Sequence, residues 1–251
     1  MRKVILTVSV LLVITSAFGG QQKKLTANQS AADLLTGLKS QDWTARAEAY
    51  EQLRRNPTAI EKAEVRSALL DLLDRENHLT MSTAPEPENE EQYAEYVASL
   101  LGTVDSFADW KNPRELCILA HSSYNTDSPF AAKLAAVGRP IIPCLMQMAK
   151  SDRPGDRLES VAVLVQLRSR VRDLGLGTVQ EIRVVTIRAL HDPDDGVREF
   201  TVDSLRDFGG EDMIPALQEV AESDPAPEVQ GISTRKNALK AIAAIQKRSH
   251  K

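Results

Sequence analysis

Ile142-Pro143-Cys144-Leu145-Met146-Gln147-Met148-Ala149-Lys150-Ser151-Asp152 and Ile214-Pro215-Ala216-Leu217-Gln218-Glu219-Val220-Ala221-Glu222-Ser223-Asp224 both read I-P-x-L-x-x-x-A-x-S-D, 72 residues apart. Within each copy the apolar residues recur at three and four, the α-helical period. A second pattern spans the joint that follows such a helix. Leu190, Asp192, Arg198 and Leu205 keep the mutual spacing of Leu38, Ser40, Arg46 and Leu53. Arg157 with Leu164, and Arg235 with Ile242, repeat the last pair. Self-similarity on this scale is the signature of stacked supersecondary units.

Working outward from the repeat, the same helical period predicts helices over 31–39, 42–55, 58–75, 89–109, 113–123, 128–137, 139–150, 156–173, 178–190, 194–208, 211–222 and 233–248. Thr58-x-x-Glu61 and Thr178-x-x-Glu181 are read as capping boxes. Asn112-Pro113 and Ser128-Pro129 place a cap ahead of a first-turn proline, whose missing N–H is harmless there. Gly138, Gly175 and Gly209-Gly210 fall where helices should stop. The long joint 77–88 holds Pro85 and Pro87, leads into Glu86, Glu88, Glu90 and Glu91, and is expected to be a mobile acidic loop.

The fullest copy of the joint, Asp192-Pro193-Asp194-Asp195-Gly196-Val197-Arg198, resembles the D-P-D-x-x-V-R joint of the HEAT-repeat family, including the short bacterial HEAT-like repeats of phycobilin lyase-type proteins. The resemblance covers 139–248 well and 31–55 acceptably, and 58–137 by helical rhythm alone. It implies an all-α fold, an α-solenoid (superhelix) of about six antiparallel HEAT-like helix pairs, right-handed in its winding. Thr201 stands where the family usually has Ala. In the family the repeated arginine meets an acid of the joint, so Arg46, Arg157, Arg198 and Arg235 are expected to be structural, with Asp192 and Asp194 as partners for Arg198. An arginine at the edge of a core must be paired, because an isolated buried charge is very costly.

The first 19 residues read as a secretory signal peptide. Met1-Arg2-Lys3 is a positive start, Val4–Phe18 is mostly apolar, and Ala17-Phe18-Gly19 supplies small residues at a cleavage site. The apolar run falls short of the roughly 20 residues that a membrane span needs. No cysteine stands just after it for a lipid anchor, and no later stretch could span a membrane. Cleavage is expected after Gly19 or, failing that, after Ala17, leaving 20–251 as a single solenoid domain exported to the periplasm or beyond. The full chain carries a formal charge of −4, and losing Arg2 and Lys3 makes it more acidic. That argues against nucleic acid as a partner, since phosphate contacts dominate such affinity.

Catalytic signatures are weak. Gly175-Leu176-Gly177-Thr178 offers G-x-G, but position 180 is Gln and no strand precedes it. Cys117 and His121, four apart, could place two metal ligands on one helix face, but zinc requires three or four. Cys117 and Cys144 are either buried thiols or a structural disulfide. His191-Asp192-Pro193-Asp194-Asp195 gathers acids that the joint itself explains, without the oxygen-rich turn a calcium loop needs. The sequence therefore assigns no catalytic, cofactor or metal residue.

The remaining function class is binding. Aligned on the repeated arginine, Ala47, Glu199 and Lys236, then Glu51, Asp203 and Lys240, then Arg54, Arg206 and Ala243 fall at equivalent positions of the second helices. Helical spacing turns this stripe away from the apolar face through Ala45, Val197 and Leu205. In a HEAT-like stack it looks into the concave groove. Glu51, Arg54, Glu199, Asp203, Arg206, Lys236 and Lys240 are thus the candidate contacts for a protein or peptide. After Glu228 no acid follows, while Arg235, Lys236, Lys240, Lys247, Arg248 and Lys251 do. That end suits an anionic surface, or simply a solvated last helix with cations at its negative pole. The expected function is an exported adaptor or scaffold without catalysis. The alternatives are an enzyme-associated subunit of the lyase type and a structural component of the cell envelope.

Overall fold

The computed structural model describes residues 30–78, 90–122, 129–170, 174–226 and 233–250. The proposed signal peptide 1–19 and the proline-rich part of the acidic segment, 79–89, lie outside them, as does Ser128.

Among the described residues every regular element is helical. In chain order they fall into six pairs: α1 (Ala31–Gly37) with α2 (Trp43–Arg54), α4 (Ala63–His78) with α5 (Glu90–Phe107), α6 (Pro113–Ala120) with α7 (Pro129–Val137), α8 (Ile142–Met148) with α9 (Pro154–Arg170), α10 (Leu176–Leu190) with α11 (Asp195–Phe208), and α12 (Ile214–Ser223) with α13 (Thr234–Ser249). Direct packing joins the helices of the other five pairs, whereas α7 packs on α9 and shares the second apolar cluster with α6. A single turn, α3 (Pro57–Ile60), joins the first two pairs. First helices stack on first helices (α4 on α6, α6 on α8, α10 on α12), and second on second (α2 on α5, α7 on α9, α9 on α11, α11 on α13). The fold is an all-α solenoid. No described helix is long and apolar enough to cross a membrane.

Local chemistry explains the boundaries. Asp42, Asn112, Asp194 and Ser233 each accept a first-turn amide of the helix they precede, satisfying donors that have no partner within the helix. Ser30 and Asp33 form a reciprocal capping box at α1. The repeated Ile-Pro is a repeated start. At both sites a 3-10 turn, Arg139–Ile141 or Glu211–Met213, runs into an α-helix with proline in its first turn.

Three sequence expectations need correction. The helix foreseen over 58–75 is split at Glu61-Lys62. Its cap is Asn56, ahead of Pro57, whereas the Thr58 hydroxyl turns back to donate to Asn56 Oδ1 at 2.7 Å. Asn-Pro outcompetes the Thr/Glu box there because proline already fixes the first helical position. Likewise α10 starts at Leu176, ahead of Thr178, behind Gly175 at φ +80°, a left-handed conformation that glycine adopts without strain. Finally, the acidic joint was expected to open at Asn77, but α4 continues through His78 and Asn77 is buried.

The core is a row of three apolar clusters. The first lies under α1–α6, the second under α6–α10 and the third under α9–α13. Trp110 and Phe130 belong to the flanks of the first two, and Val185 to those of the last two. Each pair thus buries its apolar stripe against its neighbours, as a solenoid requires. Thr201, the residue that departs from the family pattern, is fully buried, and its hydroxyl donates to Val197 O at 2.6 Å.

Candidate functional site

The polar residues of the joints form a seam along the stack, and it accounts for the repeated arginine. Arg157 on α9 donates to the carbonyls of Ser151 and Asp152 in its own joint, then reaches both carboxylate oxygens of Asp192, at 2.7 Å each, in the next pair. Arg198 on α11 repeats the arrangement. It takes the carbonyls of Asp192 and Pro193 and meets Asp224 at 2.8 Å. Arg46 on α2 takes the carbonyls of Ser40 and Gln41 and grips Glu76, at the end of α4, at 2.6 and 3.0 Å. Arg46, Arg157 and Arg198 are structural, whereas Arg235, expected to share their role, is exposed on the last helix. The partner expected for Arg198 was wrong: Asp192 gives it only a backbone carbonyl, and Asp194 is the cap of α11. Each arginine binds its own joint by backbone and the following pair by side chain.

Where the repeat motif is missing, the seam changes chemistry. Glu76 also accepts from Tyr93 Oη at 2.8 Å and Tyr96 Oη at 3.1 Å, both on α5. Burial and then the Glu76 charge push the Tyr96 phenol well above its ordinary range, so it stays a donor. Trp43 and Tyr50 stack edge-on against this pair, and Tyr50 Oη bonds Ser99 and Thr103 at 2.8 Å each. Asn77 Nδ2 donates to Ile118 O at 2.8 Å, and Arg153, from the fourth pair, donates to Asn77 O. No sequence signature marked Glu76, Tyr93, Tyr96 or Asn77, because each acts between helices and not within one or two turns of its own.

The fourth joint holds a denser cluster. Asp156 is buried and accepts from Ser151 Oγ at 2.7 Å and Arg153 Nε at 2.9 Å, with His121 Nδ1 3.3 Å away. Burial opposes ionisation of Asp156, but bonds from His121, Arg153 and Ser151, with the Arg153 charge, outweigh it and hold the carboxyl well below the usual range. Cys117 and Cys144 are joined in a disulfide with Cα atoms 5.6 Å apart, which closes the alternative left open by the sequence. The acids of 191–195 each have protein partners. Asp192 serves Arg157 and the amide of Asp194, Asp194 caps α11, and Asp195 takes the amide of Gly196.

The second-helix stripe is solvated but largely self-neutralised. Glu51 and Arg54 pair at 2.8 Å, and Asp203 and Arg206 at 3.0 Å, so the same i,i+3 bridge recurs at equivalent positions of α2 and α11. Arg206 also meets Asp207 at 3.3 Å. Glu199, Lys236 and Lys240 are exposed, and Lys240 donates to Asn237 Oδ1 at 3.2 Å. Ala47 does not face solvent as expected. It is half-buried against the first cluster. On α13, which has no acidic residue, Arg235, Lys236, Lys240 and Lys247 are exposed. Arg248 departs from that basic set by turning back to the carbonyls of Arg206 and Gly209, where it completes the end of α11. Concavities lie elsewhere: a groove of about 530 Å³ separates α1 from α4, one of about 370 Å³ lies at the joints around Ser151 and Asp192, and one of about 350 Å³ runs between α4 and α6.

No protein-family model matches the chain, and no curated protein does either. Among solved structures, a designed armadillo repeat protein aligns over 86% of this chain and 100% of its own, with 14% identity and a TM-score of 0.42.

Proposed function

We propose that this protein is an exported, non-catalytic scaffold of HEAT-like repeats that binds a protein or peptide along its row of second helices. The observation that carries the reading is the division of labour between polar residues. The buried charges Arg46, Glu76, Asp192, Arg198 and Asp224, with the half-buried Arg157, are all engaged with one another between pairs, whereas Glu51, Arg54, Glu199, Asp203, Lys236 and Lys240 stand at or near the surface of the second helices α2, α11 and α13. Stacked pairs make an extended surface of that kind, suited to a long partner. The HEAT assignment rests on the recurrent arginine, which binds its joint by the same two carbonyls at Arg46, Arg157 and Arg198.

Export is supported by the signal-like 1–19 segment and by the Cys117–Cys144 disulfide, a bond that persists in oxidising compartments. N-terminal sequencing of the native protein should give Gly20 or Phe18, and an intact Met1 would overturn the reading. The binding face is tested by Lys236→Glu with Lys240→Glu. Against a partner recovered from the native envelope by crosslinking, affinity should fall at least tenfold and lose salt dependence, with the melt unchanged. An unaltered affinity would move the surface to another face.

A further inference from the structure

Cys117 and His121 lie one turn apart at the end of α6, and α8, stacked on that helix, brings Cys144 to the same point. Both sulfurs and a ring nitrogen of His121 fall within 4.8 Å of one another. We propose that on reduction of the Cys117–Cys144 bond these three side chains bind one thiophilic divalent cation of the zinc type. The same spot is then a covalent staple when oxidised and a metal centre when reduced.

The donor set fits such an ion. Zinc is held by thiolate and imidazole, and three protein ligands with one open position are a regular arrangement. Two thiolates and a neutral imidazole balance the charge of a divalent cation. The sequence alone offered only two ligands, because Cys144 arrives through the stacking of α6 and α8. The site also has the support that ligating histidines require. Asp156 Oδ1 stands 3.3 Å from His121 Nδ1, itself fixed by Ser151 and Arg153, so a buried carboxylate is in place to hold the ring and its proton. The His78 ring lies near His121, with centroids 5.9 Å apart. Cys117 and His121 are only partly buried, so a reductant and an ion can reach them.

The chemistry balances. A dithiol reductant gives two electrons and two protons to the protein disulfide. The S–S bond breaks to two cysteine thiols, and the reductant closes to its own cyclic disulfide. The cation then displaces both thiol protons to solvent as the two S–metal bonds form.

The test uses the full chain reduced with dithiothreitol, desalted without oxygen, and titrated with Co²⁺. One equivalent should bind, with a sulfur-to-cobalt charge-transfer absorption that one equivalent of Zn²⁺ abolishes. The oxidised protein should show none. His121→Asn should weaken Co²⁺ binding at least tenfold with the helical circular dichroism retained, and Cys117→Ser should remove the absorption. The proposal is overturned by a reduced wild type without the absorption, by equal affinity in His121→Asn, or by loss of helical signal on reduction alone.

Discussion

Arg198 meets Asp224, 26 residues ahead, at 2.8 Å, although Asp192 and Asp194 are far nearer in sequence. Both groups are more than nine-tenths buried. Removing one partner of a buried pair strands the other, at about 3 kcal/mol or more. Arg198→Ala and Asp224→Ala should each lower stability by roughly that amount in urea melts. The double variant should lose clearly less than the sum, because the two act on one contact. Additive losses would show that the residues are uncoupled.

Glu76 serves three donors from two helices, so its loss should exceed that of any single donor. Tyr93→Phe and Tyr96→Phe each delete one hydrogen bond to a charged acceptor, about 1.5–3 kcal/mol. Glu76→Ala should cost more than either, since it also leaves Arg46 buried without a counter-charge. Thermal melts of the three variants give the order directly, and a Glu76 variant as stable as the tyrosine variants would refute it.

These two sites show what could be read from sequence. The helical period, the twin Ile-Pro starts and the structural role of Arg46, Arg157 and Arg198 are local features, set by spacing within one or two turns. The partners are not local. Arg198 bypasses two nearby aspartates because its side chain points along the stack, and only the offset between pairs determines what it meets. Glu76 and its tyrosines carry no pattern, since one acid serves where a repeat would have used an arginine and a joint aspartate. On the surface stripe, Glu51 and Asp203 make the same bridge to Arg54 and Arg206, and these bridges cancel much of the charge gradient that the sequence suggested.

Glu159 adds a pH dependence of its own. It is 2% exposed, its Oε2 has no hydrogen-bond partner, and burial pushes its pKa up to about 7. A folded value above the unfolded 4.5 means that the native state holds this proton longer. Stability from this group is intact below about pH 4.5, falls as pH rises to about 7, and stays lower beyond. The full loss is on the order of 3 kcal/mol. Glu159→Gln should therefore be more stable than wild type at pH 8 and no more stable at pH 4.5. Asp156 works in the opposite sense. Its depressed value stabilises the fold at neutral pH, and that contribution disappears in acid. Equal pH profiles for Glu159→Gln and wild type would exclude a buried titrating glutamate.

The crossing of α1 over α2 depends on a missing side chain. A Cβ on Gly37 would stand 2.7 Å from Ala49 Cβ, inside contact distance. Gly37→Ala should destabilise the first pair by about 1–3 kcal/mol through overpacking, despite the better helix propensity of alanine. Pairing it with Ala49→Gly should restore most of the loss. Hydrogen exchange should place the effect in α1 and α2, and a uniform effect along the chain would argue against a local clash.

The offset between arginine and acid gives the α10–α11 pair matching ends. The pair formed by α10 and α11 supplies a socket, Asp192, to the helix before it and a plug, Arg198, to the joint after it. A tandem duplicate of that unit would join without a loose end. The original Arg198 would find the copied aspartate, and the copied arginine would find Asp224. No such freedom exists at Glu76, whose pocket is shaped for Arg46, Tyr93 and Tyr96 together. By this seam the α10–α11 unit should be repeatable without stranding a charge, whereas a repeat inserted at Glu76 should strand one.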